Sequence, residues 1–339
     1  MKMRFFLKFG LFFFVIVIAS SVFFPMSYGM DFPRDPGPVL DNTVRANHLK
    51  YIEENRPQLV MIGDSTLGDD VDPDVLAEES DKSVYRISIP GSASALWYLV
   101  LKSNIVPAVQ KPEYVLIFFR DTILTAPGYR VHGSYFDLMD EYADHNEPLV
   151  MQNSFVNLMN PLEIAAEKNF PLYVFRSDIR SGIDTGLRYF TPSLLGCDKD
   201  CTDEALSEMF QAAGLEPGAL VDAVGAAESY LYTPDQLDFE GQVNNSYLPE
   251  IIRMTKENNI KLILVRIKVE THPPDPKVDE YILSLKDYLQ KNGVVLLDYG
   301  KDPRITPDFF SDSLHFLPAG RDAFTPMLAE DLNKIFAEK

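Results

Sequence analysis

Short apolar runs that do not alternate are the feature that most constrains this chain. Leu59-Val-Met-Ile62 and Tyr114-Val-Leu-Ile-Phe-Phe119 place hydrophobic residues at successive positions, so a strand built from either buries both of its faces. Further strand candidates are Val84 to Ile89, Lys261 to Ile267 and Val294 to Leu297. Helical stretches separate several of them: Ala93 to Val109, Tyr247 to Asn258, and Val278 to Gln290 with Gly293 placed to end it. Strand and helix in alternation, with strands buried on both sides, predict a central parallel sheet between two layers of helices, an α/β arrangement.

Between Thr122 and Asn245 the alternation lapses. This segment is rich in Tyr, Phe, Pro and acidic residues, and it opens helices at Asn160-Pro-Leu-Glu163 and at Thr202-Asp-Glu, the second closed by Gly214. We read 122–245 as a large, mostly helical insertion above a body that spans 57–339, where loops build a binding surface. With 339 residues, 46% of them hydrophobic, the chain is able to bury a core of that size.

The N-terminus is of another kind. Basic Lys2, Arg4 and Lys8 lead into an apolar stretch that reaches Phe24, so 1–29 reads as a secretory signal or an uncleaved signal anchor. Its length favours spanning a bilayer, whereas the small residues around Ser27 and Gly29 favour cleavage, and both remain open. In either case the basic end stays inside and the remainder is exported. Residues 30–56 then form a linker, Pro-rich from Asp31 to Pro38. Cys197 and Cys201 are the two cysteines, and in an oxidising compartment they predict a small disulfide loop. The 50 acidic against 31 basic side chains, a formal charge of −19, disfavour a nucleic-acid partner.

Covalent chemistry needs a nucleophile, a base and a group that orients the base. Gly63-Asp64-Ser65-Thr66 sets a serine at the end of the first strand, where ligands meet open α/β sheets. Near the other end of the chain, Asp312-Ser-Leu-His315 precedes the last helix, and its spacing lets one carboxylate hold one imidazole nitrogen while the other nitrogen faces the serine.

Gly-Asp-Ser after the first strand, Gly91 after the second, and Asp-x-x-His before the final helix together resemble, in that order, the SGNH/GDSL hydrolase superfamily. The resemblance covers roughly Pro57 to Asp121 and Lys261 to Lys339. It implies a three-layer flavodoxin-like fold, Ser65 as nucleophile, His315 as base, Asp312 as orienter, and the N–H groups of Ser65 and Gly91 as oxyanion donors. The family's third block usually supplies an asparagine donor; here the stretch is Phe118-Phe-Arg120-Asp121, so Arg120 stands at the asparagine position. A guanidinium is able to stabilise an oxyanion, and Arg120-Asp121 is equally readable as a structural ion pair. Asp64 and Asp121 are expected to orient or to brace.

Other motifs are weaker. Asp69-Asp-Val-Asp-Pro-Asp74 lacks the glycine of a calcium loop and reads as a solvated acidic turn, so no metal is expected. His132, His145 and His272 lack ligand spacing, and Asn244-Asn-Ser246 matches a glycosylation acceptor. No cofactor is implied. The expected function is an exported serine esterase or O-acyltransferase acting on acyl, chiefly acetyl, esters of envelope or extracellular polysaccharide. A membrane-bound acyltransferase is the implied partner. The alternative is a silent carbohydrate-binding or scaffold protein on the same fold.

Overall fold

The computed structural model describes residues 2–28, 31–40, 47–144, 147–176, 201, 228–270 and 276–337. The chain divides into two compact units, 1–38 with 156–226, and 39–155 with 227–339.

In the first unit the leader is helical over Lys2–Tyr28, although the side chains at several of its positions lie outside the described residues. Among those described, no helix is long and apolar enough to cross a membrane. The Pro-rich stretch that follows is tied back, since the Arg34 N–H donates to the Lys168 carbonyl at 3.1 Å. Helix Pro161–Asn169 starts as its sequence predicts: the Asn160 side chain accepts from the Leu162 and Glu163 N–H groups, and Glu163 accepts from the Asn160 N–H. The predicted helix after Thr202, and Cys197 of the predicted disulfide, lie outside the described residues.

The second unit holds a five-stranded parallel sheet. Its strands are β1 (Leu59–Gly63), β2 (Val84–Ser88), β3 (Tyr114–Phe119), β4 (Lys261–Arg266) and β5 (Val295–Asp298), in the order β2-β1-β3-β4-β5. This is the flavodoxin-like order. The two strands with unbroken apolar runs, β1 and β3, take the interior and are buried at every position, whereas β2 and β5 lie at the edges and are partly exposed. Burial on both sides follows from period-two geometry. Leu59 and Met61, with Tyr114, Leu116, Phe118, Ile263 and Val265, pack on one side against Phe324, Leu328 and Leu332 of the final helix, Pro318–Ala337. The alternate residues Val60, Ile62, Val115, Ile117 and Leu264 are buried too, on the other side. There β4 is met by helix Leu248–Glu257 and β5 by helix Pro276–Lys291.

One expected helix changes pitch on the way. Ser94–Val100 is α-helical, and Leu101–Ile105 continues it as a π-turn rather than as the single helix to Val109 that the periodicity suggested.

Candidate active site

The order of strands reverses between β1 and β3, so the loops leaving their carboxyl ends part and open a crevice, the place where open α/β sheets bind ligands. Ser65 leaves β1 at this point. Asp64 caps the short helix Ser65–Asp70, accepting from the Thr66 N–H at 3.0 Å and the Thr66 hydroxyl at 2.6 Å. The Ser65 hydroxyl is thereby the first side chain of the turn, half-buried at the mouth of the crevice.

The partner loop is shaped by its own sequence. Phe310 and Phe316 form an antiparallel bridge, and the Ser311 N–H donates to the His315 carbonyl at 2.8 Å, which closes the segment on itself. Inside it Asp312 Oδ1 accepts from the Leu314 and His315 N–H groups at 2.7 and 2.9 Å, an Asx turn that folds the chain back over the carboxylate. The imidazole therefore returns to the same group: His315 Nδ1 lies 2.9 Å from Asp312 Oδ2 and 3.1 Å from Oδ1. Its other nitrogen, Nε2, lies 2.8 Å from Ser65 Oγ. Three residues separated by as many as 250 positions thus form a continuous relay. With Nδ1–H donated to Asp312, Nε2 carries the lone pair that accepts the serine proton. Burial raises the Asp312 carboxyl, but the hydrogen bonds from His315 and from the backbone outweigh it and hold the group below its ordinary value.

Gly91 completes this end of the site. Its φ of +74° is left-handed, and a Cβ there would stand 2.7 Å from Tyr135 Cε1, so only glycine fits. Its loop is fastened to the turn of Ser65: the Ser92 hydroxyl donates to the Gly63 carbonyl at 3.2 Å and the Ser88 hydroxyl to the Asp64 carbonyl at 2.8 Å. Among the described residues the N–H groups of Ser65 and Gly91 have no partner.

Arg120 and Asp121 take different partners, so the adjacent ion pair suggested by their order does not form. Asp121 accepts from Arg266 Nε and Nη2 at 3.2 and 2.6 Å and from the Tyr232 hydroxyl at 2.6 Å, bracing the ends of β3 and β4. Arg120 is 1% exposed, and both of its terminal nitrogens donate to Glu228. Its Nε makes no hydrogen bond and lies 3.9 Å from Asp64 Oδ2. Burial works against both charges, yet the contact holds the guanidinium above and the Glu228 carboxyl below their ordinary values; Asp64 adds to the first effect, and Tyr129 and Arg130 to the second.

The acidic turn after Ser65 is not uniformly solvated. Asp72 caps helix Pro73–Ser80, as such a residue does, but Asp70 is 0% exposed. Its Oδ1 accepts from the Phe316 N–H at 2.9 Å, and its Oδ2 has no partner. Burial raises its carboxyl well above the ordinary value, with the Phe316 N–H opposing and the charges of Asp64, Asp69 and Asp312 adding. Among the described residues no cluster of His, Cys, Asp and Glu is arranged to hold a metal ion.

Sequence patterns missed Asp70, Glu228 and Arg130. Asp70 sits in a run of aspartates whose members look alike, and Glu228 lies 108 residues from Arg120 with no motif around it. His132 is exposed beside Phe155, and His145 and His272 lie outside the described residues.

No protein-family model matches the chain, and no curated protein matches it. Among solved structures it is similar to a GDSL-like lipase from Bacteroides thetaiotaomicron, with 12% identity, a TM-score of 0.38, and coverage of 85% of this chain and 98% of that one. It is also similar to a catalytic mutant of an acetylxylan esterase from Geobacillus stearothermophilus, with 11% identity, a TM-score of 0.37, and coverage of 82% and 93%. Both likenesses are at a distance where they decide nothing about activity.

Proposed function

We propose that this chain is a serine esterase or O-acyltransferase working through an acyl-enzyme on Ser65. The observation that carries the proposal is the unbroken relay from Ser65 Oγ to His315 Nε2 and from His315 Nδ1 to Asp312, at 2.8 and 2.9 Å. As Ser65 Oγ bonds to the ester carbon, its proton passes to His315 Nε2. The carbonyl electron pair moves onto oxygen, which accepts from the Ser65 and Gly91 N–H groups. The tetrahedral species collapses, the alkoxy group leaves with the proton held by His315, and an ester remains on Ser65. A water or a sugar hydroxyl, deprotonated by His315, then takes the acyl group by the reverse steps. Hydrolysis and transfer differ only in which acceptor arrives.

Arg120 has a different role in this proposal from that of an oxyanion donor. With both terminal nitrogens committed to Glu228 it is a positioning residue, fastening the Glu228 segment to the carboxyl end of β3. The intact relay favours an enzyme over a silent binding protein. The basic start and apolar leader support an exported body held to the membrane by 1–29. Its action on envelope or extracellular polysaccharide esters, beside a membrane-bound acyltransferase, is part of the same proposal. In that compartment Cys197 and Cys201 would pair. N-terminal sequencing of the native protein starting near Met30 would replace the tether by a cleaved, secreted form.

The experiment is Ser65→Ala with p-nitrophenyl acetate and a fluorophosphonate probe. Turnover and labelling should both disappear while the circular dichroism spectrum stays that of the parent. Undiminished turnover in a folded variant would exclude Ser65.

A further inference from the structure

Beside Gly91 lies a cavity of about 310 Å³ lined by Tyr129, Arg130, His132, Tyr135 and Tyr230. That volume is at the lower end of the range for small-molecule sites, which suits one ring rather than a long chain. We propose that it is the glycosyl subsite of the enzyme proposed above: it takes one pyranose ring of an acylated saccharide and presents the ring's ester to Ser65. The inference rests on that reading of Ser65 and adds the place where the sugar ring of the substrate binds.

Position supports it first. Tyr135 Cε1 stands 2.7 Å and Arg130 Nη1 3.5 Å from where a Cβ on Gly91 would lie, so the cavity wall abuts a proposed oxyanion donor. The loop of Gly91 is in turn tied to Gly63 and Asp64, directly before Ser65. A ring seated in the cavity would therefore lie against the Gly91 loop, which is itself fastened to the turn of Ser65.

Chemistry supports it next. Tyr129 and Tyr230 lie nearly parallel, at 5° with centroids 6.3 Å apart, and Tyr135 and Tyr230 are half-exposed at the cavity. Flat aromatic faces present an electron-rich surface to the C–H face of a sugar, while the polar edges of such rings suit its hydroxyls. Arg130 supplies donors between the rings. It is stacked against Tyr129 at 5.0 Å and Tyr135 at 5.6 Å, and Glu228 accepts from its Nη2 at 2.9 Å. Its φ of +54° is left-handed for a residue with a side chain, a conformation that persists where surroundings over-determine it. Because Glu228 is shared by Arg120 and Arg130, the wall of the cavity and the crevice end of β3 are held by a single carboxylate. An acyl-chain slot would call for aliphatic lining, and the cavity has only Val131 of that kind.

The test compares Tyr135→Ala and Tyr230→Ala with the parent on an acetylated xylo-oligosaccharide and on p-nitrophenyl acetate. The loss in kcat/KM on the saccharide ester should exceed that on p-nitrophenyl acetate by about tenfold, carried by KM, as expected for lost ground-state contacts. Tyr135→Phe, which keeps the ring face, should recover most of it. Equal losses on the two esters, or no loss on the saccharide, would overturn the subsite, as would a larger loss on p-nitrophenyl butyrate than on the saccharide. A second arm needs no chemistry: calorimetric binding of the same saccharide to Ser65→Ala, weakened by adding Tyr230→Ala. Absence of binding there counts against the subsite, whereas binding without any Ser65-dependent turnover by the parent counts against the esterase reading instead.

Discussion

Two aspartates hold the turn of His315 from opposite sides, and their surroundings differ in every respect that matters. Asp312 is 57% exposed at its side chain, accepts from the imidazole and two N–H groups, and is held below its ordinary pKa. Asp70 is 0% exposed, accepts from the single N–H of Phe316, and is held well above it. The front support is tuned to stay charged and to share a proton-bearing partner. The back support is biased towards its neutral form by burial under a packed core. One residue type thus holds an imidazole in one place and packs under the core in the other, decided by the number of donors each carboxyl meets and by access to water.

The largest break in this comparison should come at the front. Asp312→Asn removes the charge and offers His315 the wrong tautomer, so kcat should fall by about 10⁴-fold with the thermal midpoint little changed at neutral pH. Stopped-flow acylation with p-nitrophenyl acetate measures it. A fall below tenfold would mean that His315 is oriented by its backbone turn alone.

Arg120 sharpens the contrast, since it is buried like Asp70 yet keeps its charge like Asp312. Arg120→Ala leaves Glu228 with Arg130 and Tyr129 only, so it should cost about 3 kcal/mol of stability, near the lower bound for opening a buried ion pair. Single-turnover acylation per folded molecule should change by less than about tenfold, smaller than the loss of one oxyanion donor. An unchanged denaturation midpoint with a hundredfold slower acylation would return Arg120 to the oxyanion hole.

The smallest effect should come at the back and be told by its sign. A carboxyl whose folded pKa is raised binds more protons folded than unfolded, so its contribution is fully present below the ordinary value and is lost as pH rises through the folded one. An amide in place of the Asp70 carboxyl would keep the acceptor for Phe316 without that loss. Asp70→Asn should therefore gain in thermal midpoint relative to the parent as pH is raised from about 4. Asp312 works the other way: its stabilisation is present above the ordinary carboxylate value and fades as pH falls through the folded one. If the difference between Asp70→Asn and the parent stays flat across the range, burial does not raise the Asp70 carboxyl.

Much of the site was readable because its signals are local. Gly63-Asp-Ser65 and Asp312-x-x-His315 each describe a turn whose hydrogen bonds stay within a few residues, so the order of residue types nearly specifies the geometry. Gly91 was readable by its position after the second strand, although the reason it must be glycine, the approach of Tyr135, was not. The five strands were placed to within a residue or so, most directly β1 and β3, whose burial on both faces is written as an unbroken apolar run. Arg120 shows the opposite case. Its neighbour in sequence suggested an ion pair with Asp121, whereas the chain leaves the strand in a turn with a left-handed φ of +39° at Asp121, and the two side chains part, one to Glu228 and the other to Arg266.

By itself, then, the amino-acid order determined the parallel sheet, the Ser65 turn and the His315 turn, because each is set by interactions between near neighbours and by a hydrophobic period. Tertiary structure alone decided which aspartate of the acidic run would be buried and that Glu228 would hold both Arg120 and Arg130. It also brought a tyrosine cavity against Gly91. Those outcomes depend on which groups from distant segments exclude water together, and a carboxyl meets its final dielectric and its final partners only when the last helix closes over the sheet.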